Sequence, residues 1–149
     1  MSTALHLAGP EDAARILPLM AKFHAHQGIE MTDEARVQAL DPLLQGSPLG
    51  IAYLIGPQKA PIGYVIVSFG WSIEMGGMDG FLDEIYIRES VRSRGIGSEV
   101  LIALPNALAD VGLKALHIEA AASDARIQKL YGRLGFKLRD GYHLMTRVL

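Results

Sequence analysis

The hydrophobic period of this chain changes between residues 44 and 49, and that change limits what it can fold into. From Ala13 to His26 the apolar residues Ile16, Leu17, Leu19, Met20 and Phe23 recur at helical spacing, behind an acidic Glu11-Asp12 suited to a helix N-terminus. Gly28 breaks the run. Thr32-Asp33-Glu34-Ala35 opens a second helix whose stripe is Val37, Leu40, Leu43 and Leu44, with Pro42 expected to shorten or bend it. Beyond this point the period falls to that of strands. Leu49–Ile55, Gly63–Phe69 and Phe81–Ile87 are short runs rich in Ile, Val, Tyr and Phe, and residues 56–61 join the first two as a hairpin.

A short strand at Ala4–Ala8 precedes these elements. After them come a helix over Gly95–Val111, a strand at Leu116–Ala120 and a helix from about Asp124 to Leu134. A closing pair, Phe136–Leu138 and Tyr142–Val148, turns at Asp140-Gly141. The expected order is β-α-α-β-β-β-α-β-α-β-β. This is an α/β (α+β) single domain over residues 1–149, with a mixed, mostly antiparallel twisted sheet of about seven strands and helices on both faces. At 149 residues, half of them hydrophobic, the chain is large enough for one core and too apolar for a disordered tail. It has no cysteine, which excludes a disulfide scaffold, a Cys-ligated zinc site and a thiol nucleophile. A net charge of −2 gives no global reason to bind nucleic acid. No apolar run spans a membrane and no signal peptide opens the chain, so a cytoplasmic location without membrane partners is expected.

Chemistry concentrates between Asp83 and Ser98. A strand ends near Arg88, a helix begins near Gly95, and Arg88, Arg92 and Arg94 lie in the connection. Amides at a helix N-terminus lack intrahelical partners and carry the positive end of the helix dipole. Gly95 and Gly97 allow close backbone approach, and Arg92 and Arg94 add full charges, which suits a phosphate or diphosphate. Taken alone, a glycine-rich βα turn is as readily only a tight turn. It is not a P-loop, for no Gly-Lys-Ser/Thr follows, and it lacks the third glycine of a dinucleotide fingerprint.

A second stretch adds to the first. Arg92-Ser93-Arg94-Gly95-Ile96-Gly97 resembles the diphosphate loop Arg/Gln-x-x-Gly-x-Gly/Ala of the GNAT superfamily of acyl-CoA-dependent N-acyltransferases. Leu130-Tyr131-Gly132-Arg133-Leu134-Gly135-Phe136 resembles that family's Leu-Tyr-x-x-x-Gly-Phe helix end. The resemblance extends from about residue 4 to 149 and implies the acyl-CoA N-acyltransferase fold, with acetyl-CoA as cosubstrate and no metal. It implies that the strand carrying Ile85, Tyr86 and Ile87 pairs with the pantetheine arm, and that Arg92, Ser93, Arg94, Gly95, Ile96, Gly97 and Ser98 hold the diphosphate. Tyr131 then matches the tyrosine that protonates the departing thiolate. Asp124 stands where the family commonly has a pantetheine-contacting Asn. Pro105 is a second departure, expected to kink or break the helix after the loop.

The implied reaction is direct transfer of acetyl to a primary amine of a small molecule, amino acid or peptide N-terminus. The amine must first lose a proton. Asp83 shares strand parity with Ile85 and Ile87. Glu119, twelve positions before Tyr131, resembles the base of ribosomal-protein acetyltransferases. These two carboxylates are the expected bases, one acting through water, while Glu84 has the opposite parity. On the acceptor side the candidates are His24, Gln27, Trp71 and Glu74, with Trp71 and Glu74 able to clamp a cationic amine. The bland readings are a solvated helix end for His24 and hairpin packing for Trp71. His24 and His26 do not share a helix face, so no metal site is expected. By analogy, Leu144–Leu149 is an edge strand suited to homodimer pairing.

Overall fold

The computed structural model describes residues 4–149. Their elements are β1 (Leu5–Leu7), α1 (Ala13–Gln27), α2 (Asp33–Leu44), β2 (Gly50–Ile55), β3 (Gly63–Ser72), β4 (Gly77–Ile87), α3 (Ile96–Ala109), β5 (Ala115–His117) and α4 (Ala125–Arg133). The chain separates into two compact units, one ending at Ile118 and the other running over Glu119–Leu149. The first unit holds the whole sheet, in the order β1-β2-β3-β4-β5, antiparallel except for the parallel β4–β5 pair.

Local chemistry sets the ends of the first two helices. Asp12, fully buried in a 3₁₀ turn before α1, accepts from the Gly9 N–H at 2.9 Å and from Arg15 at 2.8 Å. Gly28, at φ 68°, ends α1 in the left-handed conformation. Thr32 caps α2 by accepting the Ala35 N–H at 3.1 Å. Pro42 is accommodated near the end of α2, and α3 runs through Pro105 to Ala109 without the expected break.

Alternation along β3 assigns the two faces of the sheet. Tyr64 and Ile66 join Ile16, Leu19, Met20, Leu40, Leu44, Leu54 and Tyr86 in the core beneath α1 and α2. Val65 and Val67 face the other way and are fully buried, as are Val100, Leu104 and Leu108 of α3, and Ile87 lies against Gly97 at the start of that helix.

The sheet has five strands, not seven. β5 stops at His117 instead of Ala120 because its partner β4 leaves it after Phe81. The closing pair is not formed. The Asp140-Gly141 turn is present, with Gly141 at φ 86° and its N–H bonded to Asp140 at 3.0 Å, but Leu138, Tyr142, Leu144, Met145 and Val148 are all exposed. Two strands with no covered apolar face are marginal in water. Leu144–Leu149 is accordingly not an edge strand of the sheet. Among the described residues no helix is long and apolar enough to cross a membrane.

β3 and β4 approach so closely at Gly63 that a Cβ there would collide with the Tyr86 carbonyl oxygen. Gly63→Ala should therefore cost about 1–3 kcal/mol, the usual range for overpacking, seen as a lower urea midpoint with unchanged m-value.

Candidate active site

β4 carries one residue more than β3 over their paired length. Ile66 pairs with Glu84 and Val67 with Leu82, so Asp83 is left over as a β-bulge. The bulge resets the parity of the strand. Leu82 shares the face of Val67, while Glu84 and Tyr86 share the face of Ile66 and Tyr64. It also falls just past the last β4–β5 rung, Phe81 with His117. From Leu82 to Ile87 the outer side of β4 has no strand partner among the described residues.

Backbone direction follows from one bond. Arg88 donates its N–H to the Ile62 carbonyl at 2.8 Å. By alternation Tyr86 and Glu84 also turn their backbone groups toward β3, and Ile85 and Ile87 turn theirs to the open side. Arg92 reaches the Ile87 carbonyl from that side, donating from Nε at 2.7 Å, while its guanidinium stands 5.1 Å from the centre of the Tyr86 ring.

The connection then climbs to α3 through two left-handed residues, Ser93 at φ 64° and Gly95 at φ 77°. The first is uncommon for a residue with a Cβ and marks local strain. Gly95 is the N-cap of α3 and has no side chain to offer, so no side-chain cap covers the first amides. Arg94 and Gly95 are exposed, and Ile96, Gly97 and Ser98 are partly so. Neither glycine is demanded by crowding. A Cβ at 95 would meet nothing within 4 Å, and one at 97 would lie 3.6 Å from an Ile87 methyl. Behind the loop, Lys22, His26, Tyr86, Arg88, Glu89 and Ser90 line a cavity of ≈ 690 Å³. His26 and Glu89 bridge its rim at 2.7 Å. An open strand edge leading into uncapped helical amides among arginines is suited to an extended ligand with an anionic end.

The acetyltransferase (GNAT) family matches residues 19–136, well over half the chain and across both units. The chain belongs to the GNAT acetyltransferase family. An integron cassette protein from the mobile metagenome of Cole Harbour Salt Marsh is 29% identical, with a TM-score of 0.82 over 97% of this chain and 90% of that one. Two further solved structures share the fold. The ribosomal-protein-alanine N-acetyltransferase of Brucella melitensis is 20% identical, with a TM-score of 0.75 over 99% and 100% of the two chains. A predicted acetyltransferase from Clostridium acetobutylicum, solved with acetyl-CoA, is 16% identical, with a TM-score of 0.76 over 97% and 96%. No curated protein matches.

Other expected site residues of this GNAT member occupy varied settings. His24 is not a solvated helix end. It is 2% exposed and donates from Nε2 to Glu84 at 2.7 Å, while Arg36 donates from Nε to its Nδ1 at 3.1 Å. Because Arg36 can only donate, Nδ1 must accept, which fixes the proton on Nε2. Tyr64 donates to the other Glu84 oxygen at 2.8 Å. Burial first, then the Glu84 charge and hydrogen bond, push the Tyr64 phenol far above its usual range, so it remains a donor. The Tyr86 side chain packs beside Phe23 and Tyr64 in the core and its backbone groups turn toward β3, so Ile85 and Ile87 alone of the three present backbone groups to the open edge. Gln27 and Asp83 are exposed, and Trp71, 73% exposed, stands at the β3–β4 hairpin opposite Met78 instead of packing within it. Glu74 lies in the turn of that hairpin.

In the second unit Asp124 caps α4, accepting the Ile127 N–H at 3.0 Å. Tyr131 is half-buried on α4 with its ring 6.0 Å from that of Phe136. Burial, and then the Asp124 charge, raise its phenol above the ordinary value. Glu119 is exposed at the start of this unit. Among the described residues no three His, Cys, Asp or Glu side chains are grouped as a metal site.

The Glu84 cluster was missed at the sequence level, because its partners His24 and Tyr64 lie 60 and 20 residues away along the chain. Tyr64→Phe and His24→Leu each remove one donor to its carboxylate and should each cost about 1.5–3 kcal/mol in urea unfolding. In a Glu84→Leu background both losses should shrink, because the acceptor is gone.

Proposed function

We propose that this protein is an N-acetyltransferase that moves acetyl from acetyl-CoA to a primary amine by direct attack. The observation that carries the reading is the open edge of β4, which starts at the Asp83 bulge and leads into the uncapped N-terminus of α3. Its chemistry fits the cosubstrate. The amide pantetheine arm would take the outward backbone groups of Ile85 and Ile87, as a strand partner does. The diphosphate would take the amides of Gly95 to Ser98, with Arg92 and Arg94 beside it. Acetyl-CoA in the Clostridium acetobutylicum structure and the N-acetyltransferase name of the Brucella protein support this reading.

With the diphosphate at Gly95–Ser98 and the arm along Ile87 and Ile85, the thioester falls near the bulge. Asp83 and Glu119 are the carboxylates proposed as bases for the ammonium, one of them acting through water. Tyr131 is proposed as the acid for the thiolate. Its raised pKa supports that role, for the phenol keeps its proton across the neutral range. Trp71, Glu74, His24 and Gln27 are the residues proposed earlier for the acceptor. The burial of His24 makes it a support for Glu84 more than a direct contact.

The chain has no cysteine, so CoA release can be followed by a thiol reagent without a protein background. Titration calorimetry should show acetyl-CoA binding. A panel of an N-terminal alanyl peptide, an amino-acid amide and an aliphatic diamine should show turnover on at least one member. Binding without turnover on any amine would point to a sensor instead. Tyr131→Phe should lower kcat about 100-fold with little change in acetyl-CoA affinity, and equal losses in both would remove the acid assignment. Because the Tyr131 pKa is raised, the acid-competent form persists upward in pH. The alkaline limb of the wild-type kcat profile should therefore lie above the ordinary tyrosine value of about 10, and Tyr131→Phe should abolish that limb.

A further inference from the structure

We propose that His117, oriented by Asp79, is the group that takes the acceptor's proton directly, ahead of the carboxylates Asp83 and Glu119; the inference rests on the N-acetyltransferase reading and deepens it. His117 is the last residue of β5 and pairs with Phe81 on the last rung before β4 and β5 part. Its Nε2 lies 3.0 Å from Asp79 Oδ2, two residues back along β4. An ionised carboxylate only accepts, so the ring proton sits on Nε2 and Nδ1 carries the basic lone pair. The side chains are 29% and 22% exposed, sheltered enough to hold one geometry and open enough to meet a ligand.

Position in the sheet gives this pair its meaning. Phe81 pairs with Ser68 and Glu84 with Ile66, so these positions share one face of the sheet, and Asp79 and His117 share it with them. The Asp83 bulge is two residues along β4 from the His117 rung, about 7 Å at strand rise. A thioester placed at the bulge would therefore lie within reach of Nδ1, directly or through one water. The pair has the histidine and orienting carboxylate of a base suited to proton abstraction.

The step balances. One ammonium proton passes to Nδ1, giving an imidazolium that Asp79 stabilises and that later yields the proton to solvent. The freed nitrogen pair forms the N–C bond and the C–S bond breaks. The thiolate takes the proton of the phenol assigned to Tyr131, and the phenolate regains one from the nitrogen as the amide forms.

Two variants test this with acetyl-CoA and whichever panel amine the wild type acetylates. His117→Ala removes the base, and His117→Gln keeps an N–H donor for Asp79 without a basic lone pair. Both should lower kcat/KM for the amine by about 100-fold or more, with acetyl-CoA affinity by calorimetry unchanged. Added imidazole should restore part of the rate to His117→Ala. Asp79→Asn should slow the wild type yet cost nothing further in the His117→Ala background, as expected of a residue acting only through the ring. The proposal is overturned if either His117 variant keeps near wild-type turnover, if imidazole rescues nothing, or if the Asp79 loss persists without the ring. A wild type that binds acetyl-CoA and acetylates no amine overturns the N-acetyltransferase reading and this one together. An active wild type with an equally active His117→Gln overturns this one alone.

Discussion

A single surplus residue, Asp83, sets the arrangement on which the rest of the first unit depends. β-strands alternate their side chains between faces, so one inserted position inverts every side chain beyond it. Before the bulge, Leu82 and Gly80 lie toward the Val67 side. After it, Glu84 and Tyr86 lie under α1 and α2, and Ile85 and Ile87 belong to the opposite face. Without the insertion Glu84 would face away from Tyr64, and the Tyr86 ring would leave the core. The inversion also falls where β5 ends. The twist and bend that accompany a bulge give a physical reason for β4 and β5 to part there.

The cluster around Glu84 fixes that inversion in place. A carboxylate only 14% exposed is costly unless its oxygens are hydrogen-bonded. Here His24 of α1 donates to one oxygen and Tyr64 of β3 to the other, while Arg36 of α2 holds the His24 ring from behind. Four elements are thus tied together through Glu84 and His24. Slipping β4 by one residue would leave the buried phenol, the imidazole and the carboxylate without partners at the same time, a larger penalty than the loss of any one contact.

Much of this was legible in the sequence, and the failures have specific causes. The stripes Ile16-Leu19-Met20 and Leu40-Leu44, and the run Gly63–Phe69, follow from hydrophobic period, and the buried residues include both stripes and Tyr64 to Val67 of the run. The loop Arg92–Ser98 is local chemistry, readable from neighbours a few residues apart. His24 could not be read, because its partners lie 60 and 12 residues away in sequence. Asp79 and His117 escaped for the same reason, being 38 residues apart and joined only by the β4–β5 register. Alternation places Glu84 opposite Ile85 and Ile87, as the structure has it, but its hydrogen-bond partners His24 and Tyr64 are 60 and 20 residues away. The closing pair after Phe136 had the right turn, but a turn fixes register only where one strand face has something to cover it.

The electrostatics of the first unit divide along the length of β4. At its C-terminal end the strand runs into Arg88, Arg92 and Arg94 and the positive end of α3, with Lys22 and His26 behind. From Asp79 to Glu84, three of six residues are carboxylates. A ligand with a diphosphate at one end and an uncharged thioester at the other is oriented by such a gradient before any specific contact forms. The same gradient favours a cationic amine arriving at the acidic end and disfavours it at the basic end. Polarity along one strand can therefore order both reactants. If the acceptor is an amine, as proposed, its ammonium must also lose a proton there, and a field that attracts a cation opposes its neutralisation. In the proposed reaction the imidazole of His117, whose Nε2 lies 3.0 Å from Asp79, would take that proton.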